Sequence, residues 1–170
     1  WQMKRSRDQT KEQYQEFIST KAEPILEKWI TIIQDKELIR PASIYGYFPC
    51  ASNKNSLILF DNNSGNKLGQ FVFPRQRSGK RLCISDYFRI QEDNKPQDIL
   101  PMQAVTMGQS ASEYSKILFD DNKYTDYLYF HGLSVQLAEA CAELIHSLIR
   151  KECGFIEDEP DNNKDILAMK

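Results

Sequence analysis

The sequence is poor in the residues that most often announce chemistry. Its 170 residues include seven glycines, four cysteines and two histidines. No Cys-x-x-Cys pair occurs, and Cys50, Cys83, Cys141 and Cys153 have only His131 and His146 as possible co-ligands for a metal. Cys141 and Cys153 fall on what reads as one helix. Twelve positions at 1.5 Å rise put them roughly 18 Å apart, too far for a disulfide. Reduced cysteines in a cytoplasmic protein are therefore expected. No G-x-G-x-x-G is present, so dinucleotide binding of the doubly wound type has no support. Arg77-Ser78-Gly79-Lys80-Arg81 lacks the first glycine of a phosphate loop and has Arg81 where that loop needs a magnesium-binding hydroxyl. It reads as a solvated basic turn. No apolar run nears the roughly 20 residues that span a bilayer, and the N-terminus has no signal-peptide apolar segment. The first residue is Trp1 rather than methionine, from which we expect a chain cut from something longer.

The charges are almost balanced, 22 basic against 24 acidic residues for a net of −2. A dedicated nucleic-acid binder would show a strong basic excess. What the sequence does have is apolar surface: 41% hydrophobic and 11% aromatic residues. That is enough to bury the core of one domain, residues 1–170.

Apolar residues recur at three- and four-residue spacing from Thr10 to Lys36, through Tyr14, Phe17, Ile18, Ile25, Leu26, Trp29, Ile32 and Ile33. They predict a helix that Pro24 kinks or restarts. Strands are predicted at Ile44–Phe48 (ending at Pro49), Ser56–Phe60, Leu68–Phe73 and Ile99–Met107. Asp61 to Asn66 is a turn joining the second and third, so those two are antiparallel. Pro101 requires the last strand to be an edge or to start there. Leu82 to Phe88 fits either a strand edge or a short helical turn. Two helices close the chain. One runs from Ala111 to Asp120 with Ser110 as N-cap. The other runs from about Asp126 to Cys153 with a buried stripe of Leu133, Leu137, Ala140, Leu144 and Leu148, and Gly154 as its end. Beyond it lie an acidic stretch, 157–164, and a new apolar pattern at Ile166 and Leu167. This order predicts an α+β fold, an antiparallel sheet flanked by helices with the long C-terminal helix packed on it.

Candidate catalytic groups are few. His131 and Glu139 are eight positions apart on the long helix, roughly 12 Å along its axis, which forbids a hydrogen-bonded acid–base pair. His131 reads as a satisfied helix histidine, and Tyr124, Tyr127, Tyr129 and Phe130 as a helix start packing on the sheet. Glu139 lies on the polar stripe with Gln136, Glu143, His146 and Arg150. From spacing alone it is a solvated carboxylate, and the residues by themselves leave the function unassigned.

Four stretches together carry a resemblance: Ile44-Tyr45-Gly46-Tyr47-Phe48-Pro49-Cys50, Phe71-Val72-Phe73-Pro74-Arg75-Gln76, Met102-Gln103-Ala104-Val105-Thr106-Met107-Gly108, and Tyr124-Thr125-Asp126-Tyr127-Leu128-Tyr129-Phe130-His131-Gly132 continuing to Leu137-Ala138-Glu139-Ala140. In this order and spacing they resemble the C-terminal activation domain of vitamin B12-dependent methionine synthase, in the version found in cyanobacteria and related bacteria. The tail from Gly154-Phe155 through Glu159-Pro160-Asp161-Asn162 to Asp165-Ile166-Leu167 is similar too. The resemblance implies a domain that binds S-adenosylmethionine and docks over a cobalamin-binding domain of the same enzyme. There, an electron from flavodoxin or a similar reductase allows oxidised cob(II)alamin to be remethylated. Cobalamin would be held by the neighbouring domain, and no catalytic residue is needed in this one. The family's ligand contacts include an aspartate before the position of Trp1 and an Arg-x-x-x-Gly-Tyr-Pro-Ala-Cys-Pro segment after that of Lys170, so the domain is expected to be truncated at both ends. Of those contacts, only the glutamate of Leu-Ala-Glu-Ala maps here, as Glu139. A carboxylate could accept charge-assisted hydrogen bonds from the ligand's ammonium or its ribose hydroxyls. The alternative is a non-enzymatic interaction module that shares the fold and binds no S-adenosylmethionine. An independent small-molecule methyltransferase is disfavoured by the lack of a glycine-rich loop.

Overall fold

The first helix begins where a threonine can close it. Thr10 Oγ1 accepts from the Gln13 N–H at 3.2 Å, and Gln13 Oε1 accepts from the Thr10 N–H at 3.0 Å. This reciprocal box satisfies two of the N–H groups that a helix start leaves orphaned. The computed structural model describes residues 4–155. Helix α1 (Lys11–Phe17) passes through a π turn (Ile18–Ala22) into α2 (Glu23–Asp35). The turn has a local cause: Pro24 has no N–H to offer the Thr20 carbonyl, and Glu23 bonds back to Ile18, one residue further than in an α-helix. The expected interruption at Pro24 is thus a widened turn, with proline at the start of α2. Four strands follow, β1 (Ala42–Asn53), β2 (Ser56–Phe60), β3 (Lys67–Val72) and β4 (Asp98–Thr106), then α3 (Gln109–Asp120) and α4 (Tyr124–Glu152).

The chain divides into two compact units, residues 44–103 and the remainder. In the 44–103 unit the sheet order is β3-β2-β1-β4, with β1–β2 and β2–β3 antiparallel. The predicted turn forms because the Asp61 carboxylate accepts from the N–H groups of Asn63 and Ser64 and from Ser64 Oγ, at 2.7–3.0 Å. Strand β1 does not end at Pro49 as expected. Its register with β2 runs from Cys50↔Leu59 to Asn53↔Ser56, one residue past the proline, so the missing N–H falls outside that ladder. Pro101 sits in β4, an edge strand of the sheet, as its chemistry requires. Alternation splits the apolar side chains between the two faces. Cys50, Leu57 and Leu59 pack with Phe48, Phe73, Phe88, Leu100 and Met102, while Ala51, Ile58 and Phe60 cluster separately. The undecided segment before β4 contains a 3₁₀ turn, Ile84–Tyr87.

The other unit is built around Phe130, which is fully buried. Its ring meets Tyr114 edge-on at 5.0 Å and Trp29 at 5.8 Å, tying α4 to α3 and α2. Leu38, Met107, Ala111 and Leu118 complete this core, with Val105 from the end of β4 against it. The buried stripe of α4 therefore differs from the predicted one. Phe130, Ser134, Ile145 and Ile149 face inward, while Leu137, Leu144 and Leu148 are exposed. Leu133 of the predicted stripe does pack half-buried against the core. The buried Ser134, Ile145 and Ile149, however, lie one position on from Leu133, Leu144 and Leu148, about 100° around the helix. Ser134 can occupy the inner face because its hydroxyl donates to the Phe130 carbonyl at 2.9 Å, leaving no polar atom unpaired. Helix α3 starts at Gly108 (φ 94°), with no side-chain cap, so Ser110 is a helical residue rather than the N-cap. A Cβ at Gly108 would lie 3.2 Å from the Arg40 carbonyl oxygen, which glycine avoids. Gly154 ends α4 as expected: its N–H donates to Lys151 O and that of Phe155 to Arg150 O, with φ 81° at the glycine. The acidic stretch and the Ile166/Leu167 pattern lie outside the described residues.

Candidate functional site

Glu139 stands on the exposed side of α4, within a stretch whose Leu133, Ala138 and Cys141 pack against the core. One carboxylate oxygen accepts from Gln136 Nε2 at 2.8 Å. No lysine, arginine or histidine pairs with it among the described residues. Its charge is thus uncompensated and one oxygen is open, which suits an incoming ammonium or hydroxyl donor. Glu143, one turn on, is likewise exposed. The sequence grouped these two on one polar stripe, and the structure keeps them there.

Next to Glu139 in the chain, Ala138 lines a cleft of about 530 Å³ between α3 and α4. Its walls include Ser112, Ser115 and Lys116 from α3 and Tyr127, His131 and Val135 from α4. The sequence reading did not find this cleft. Tyr127 and His131 are stacked, with ring centroids 5.3 Å apart and planes within 8°. Their i,i+4 spacing was the available signal. The Tyr127 ring also meets Phe119 edge-on at 5.4 Å. The aromatic start of α4 therefore serves two purposes: Phe130 fills the core, and Tyr127 with His131 forms a flat wall beside solvent. A planar ring could stack there, with Lys116 and the serine hydroxyls offering polar contacts.

No described cluster of three His, Cys, Asp or Glu could hold a metal ion, and no described helix is long and apolar enough to cross a membrane. Cys50 and Cys83 are buried, and no disulfide links the four thiols. Burial pushes the Cys50 thiol up to about 11, with the nearby Asp98 carboxylate adding to the shift, so it stays protonated and inert at neutral pH. The basic turn at 77–81 is exposed, as its composition indicated.

The family described as "Vitamin B12 dependent methionine synthase, activation domain" matches residues 1–170. The methionine synthase of Mycobacterium tuberculosis is 37% identical over 181 aligned residues, which take in 99% of this chain and 15% of that protein. That of Mycobacterium leprae is 35% identical over 168, covering 92% of this chain and 14% of its own length. The chain thus spans about one seventh of the curated relatives it matches. Among solved structures, the MetH reactivation domain bound to AdoHcy superposes with a TM-score of 0.71 at 19% identity, covering 89% of this chain and 49% of that one. At that identity the likeness shows the fold, an α+β sheet with a long C-terminal helix. The match across the whole chain, together with these relatives, shows that the chain belongs to the family of activation domains of vitamin B12-dependent methionine synthase.

Proposed function

We propose that residues 1–170 act as part of the S-adenosylmethionine-binding reactivation domain of a cytoplasmic methionine synthase, a methyltransferase. The observation that carries this reading is the family match over the full 170 residues. The AdoHcy of the solved neighbour supports the ligand class, because it is what remains when S-adenosylmethionine has given up its methyl group. When bound, S-adenosylmethionine supplies a methyl carried on a positively charged sulfur, and cobalamin in the neighbouring domain receives it after a one-electron reduction by flavodoxin or a similar reductase.

This chain's part is to bind and orient. Glu139 accepts a hydrogen bond from the ligand's ammonium or ribose through the carboxylate oxygen that Gln136 leaves open. The uncompensated charge supports this role, and the family's Leu-Ala-Glu-Ala motif brings it to this residue.

The experiment compares Glu139→Gln with Glu143→Gln in the full-length enzyme. Glutamine keeps the size and one acceptor but loses the charge. For an exposed charge-assisted hydrogen bond the scale is about 1.5 kcal/mol, or roughly tenfold in affinity. Calorimetric titration with S-adenosylmethionine should show that loss for Glu139→Gln alone, reactivation should slow, and turnover with methyltetrahydrofolate should persist. If both variants bind like wild type, Glu139 is an ordinary surface carboxylate.

A further inference from the structure

We infer that the cleft between α3 and α4 is a binding site for a small planar ring that carries a phosphate, the chemistry of a nucleoside monophosphate. Such a site is separate from the S-adenosylmethionine contact proposed at Glu139. The cleft, of about 530 Å³, is walled by aromatic rings that packing has left open to solvent. Tyr127 and His131 lie with planes within 8° but centroids 5.3 Å apart. Ring atoms in face contact are about 3.5–4 Å apart, so these rings are slipped and neither covers the other's face. Phe119 extends the wall edge-on to Tyr127 and is itself 55% exposed. Packing the helices together does not require this opening, since Phe130, one position before His131, is buried completely.

Opposite the rings, α3 brings Ser112, Ser115 and Lys116 to the cleft, at the three- and four-residue spacing that places them on one face. Lys116 forms no ion pair among the described residues. The two serine hydroxyls have no hydrogen-bond partner among them either. No aspartate or glutamate is among the described residues that line the cleft. A cation and two hydroxyl donors without an opposing carboxylate favour an anion. The same sign disfavours S-adenosylmethionine as the occupant, because its sulfonium and ammonium are cations and suit the Glu139 carboxylate instead.

These two walls together define the ligand class. A ring alone would leave Lys116 unpaired, and an anion alone would leave the aromatic wall uncovered, so a molecule with both parts gains most. The rings offer stacking, which any nucleobase can use. Three donor groups, from Ser112, Ser115 and Lys116, match the three acceptor oxygens of a terminal phosphate better than the two of a carboxylate. The volume lies within the roughly 300–1,000 Å³ of small-molecule sites. One lysine, on a chain of net charge −2, is too few to track a nucleic-acid backbone. No bond forms or breaks in the cleft, and the ligand leaves unchanged.

The test titrates the full-length enzyme with AMP, adenosine and inorganic phosphate by calorimetry. AMP should bind at least about tenfold more tightly than adenosine or phosphate. Lys116→Ala should reduce AMP to the affinity of adenosine. His131→Ala should weaken AMP and adenosine alike, and His131→Phe, which keeps a flat ring, should restore both. Lys116 and His131 are exposed, so these variants keep the fold. Glu143→Gln, outside the cleft, should bind AMP like wild type, and saturating S-adenosylmethionine should leave AMP affinity unchanged. Absence of saturable AMP binding at millimolar concentration overturns the inference, and so does wild-type AMP affinity in both alanine variants. Phosphate binding as tightly as AMP, or a single-stranded oligonucleotide binding more tightly, also overturns it. Displacement of AMP by S-adenosylmethionine would overturn it too, by making the cleft part of that ligand's site. If S-adenosylmethionine does not bind the enzyme, the proposed function fails, and the AMP comparison still decides the cleft.

Discussion

Replacing Ile149 and Leu144 by alanine, one at a time, tests which face of α4 supports the protein. Ile149 is 3% exposed and Leu144 61%, although both satisfy a helical apolar period. Truncating a buried isoleucine removes its transfer free energy and leaves a cavity, at a cost of about 2–5 kcal/mol. Truncating a largely exposed leucine falls within about 0.5 kcal/mol. With a urea dependence of about 2 kcal/mol per molar, the midpoint should drop by about 1–2.5 M for Ile149→Ala and by at most about 0.25 M for Leu144→Ala. Trp29 is a suitable reporter, since it is buried and its ring lies 5.8 Å from Phe130 on α4. The chain has two tryptophans, and a Trp1→Phe background leaves Trp29 as the sole indole. Fluorescence-monitored urea unfolding of the two variants then reads this core directly. Equal midpoint shifts would refute the assigned face, and a larger shift for Leu144→Ala would restore the leucine stripe.

Gly108→Ala should destabilise the chain by about 1–3 kcal/mol, because alanine would be forced to φ 94° with its Cβ 3.2 Å from the Arg40 carbonyl; thermal unfolding measures this, and an unchanged midpoint would contradict it. A thiol reagent at neutral pH should modify Cys141 and Cys153 in the native chain and reach Cys50 and Cys83 only on unfolding. Cys50 also makes stability pH-dependent. Its folded value of about 11 lies above the ordinary thiol value, so its contribution is intact below that ordinary value and is lost as pH rises toward 11. Alkaline unfolding should therefore begin at higher pH in Cys50→Ala than the neutral-pH stability of that variant alone would suggest, and parallel pH profiles would argue against this linkage.

Local chemistry determined much of this protein directly from sequence. The Asp61–Asn66 turn forms because its aspartate can satisfy its own backbone, and the end of α4 forms because Gly154 alone tolerates the left-handed cap at no steric cost. Pro101 limited β4 to an edge strand or to a start at the proline for an equally local reason, its missing N–H, and the sheet order makes it the edge. The α+β order of elements followed from these signals and from periodicity. The family resemblance was carried by ordered motifs, and it alone separated Glu139 from Glu143, since spacing treats two exposed carboxylates on one stripe alike.

Tertiary structure decided what periodicity left degenerate. Helix α4 is apolar on more than one side, so leucines and the Phe130/Ile145/Ile149 set fit a period of 3.6 equally well. The choice came from Trp29 and Tyr114, which lie far from α4's core positions or on another helix and meet Phe130 only after folding. The passage of β1 through Pro49 was settled by where its ladder with β2 begins. The burial of Ser85 beneath an exposed Ile84 depended on the Lys54 carbonyl, 31 positions away, being there to receive its hydroxyl. In each case the sequence supplies the candidates, and the physical reason for the outcome is a partner brought in from a distance: a buried ring needs neighbouring rings, and a buried polar atom needs an acceptor.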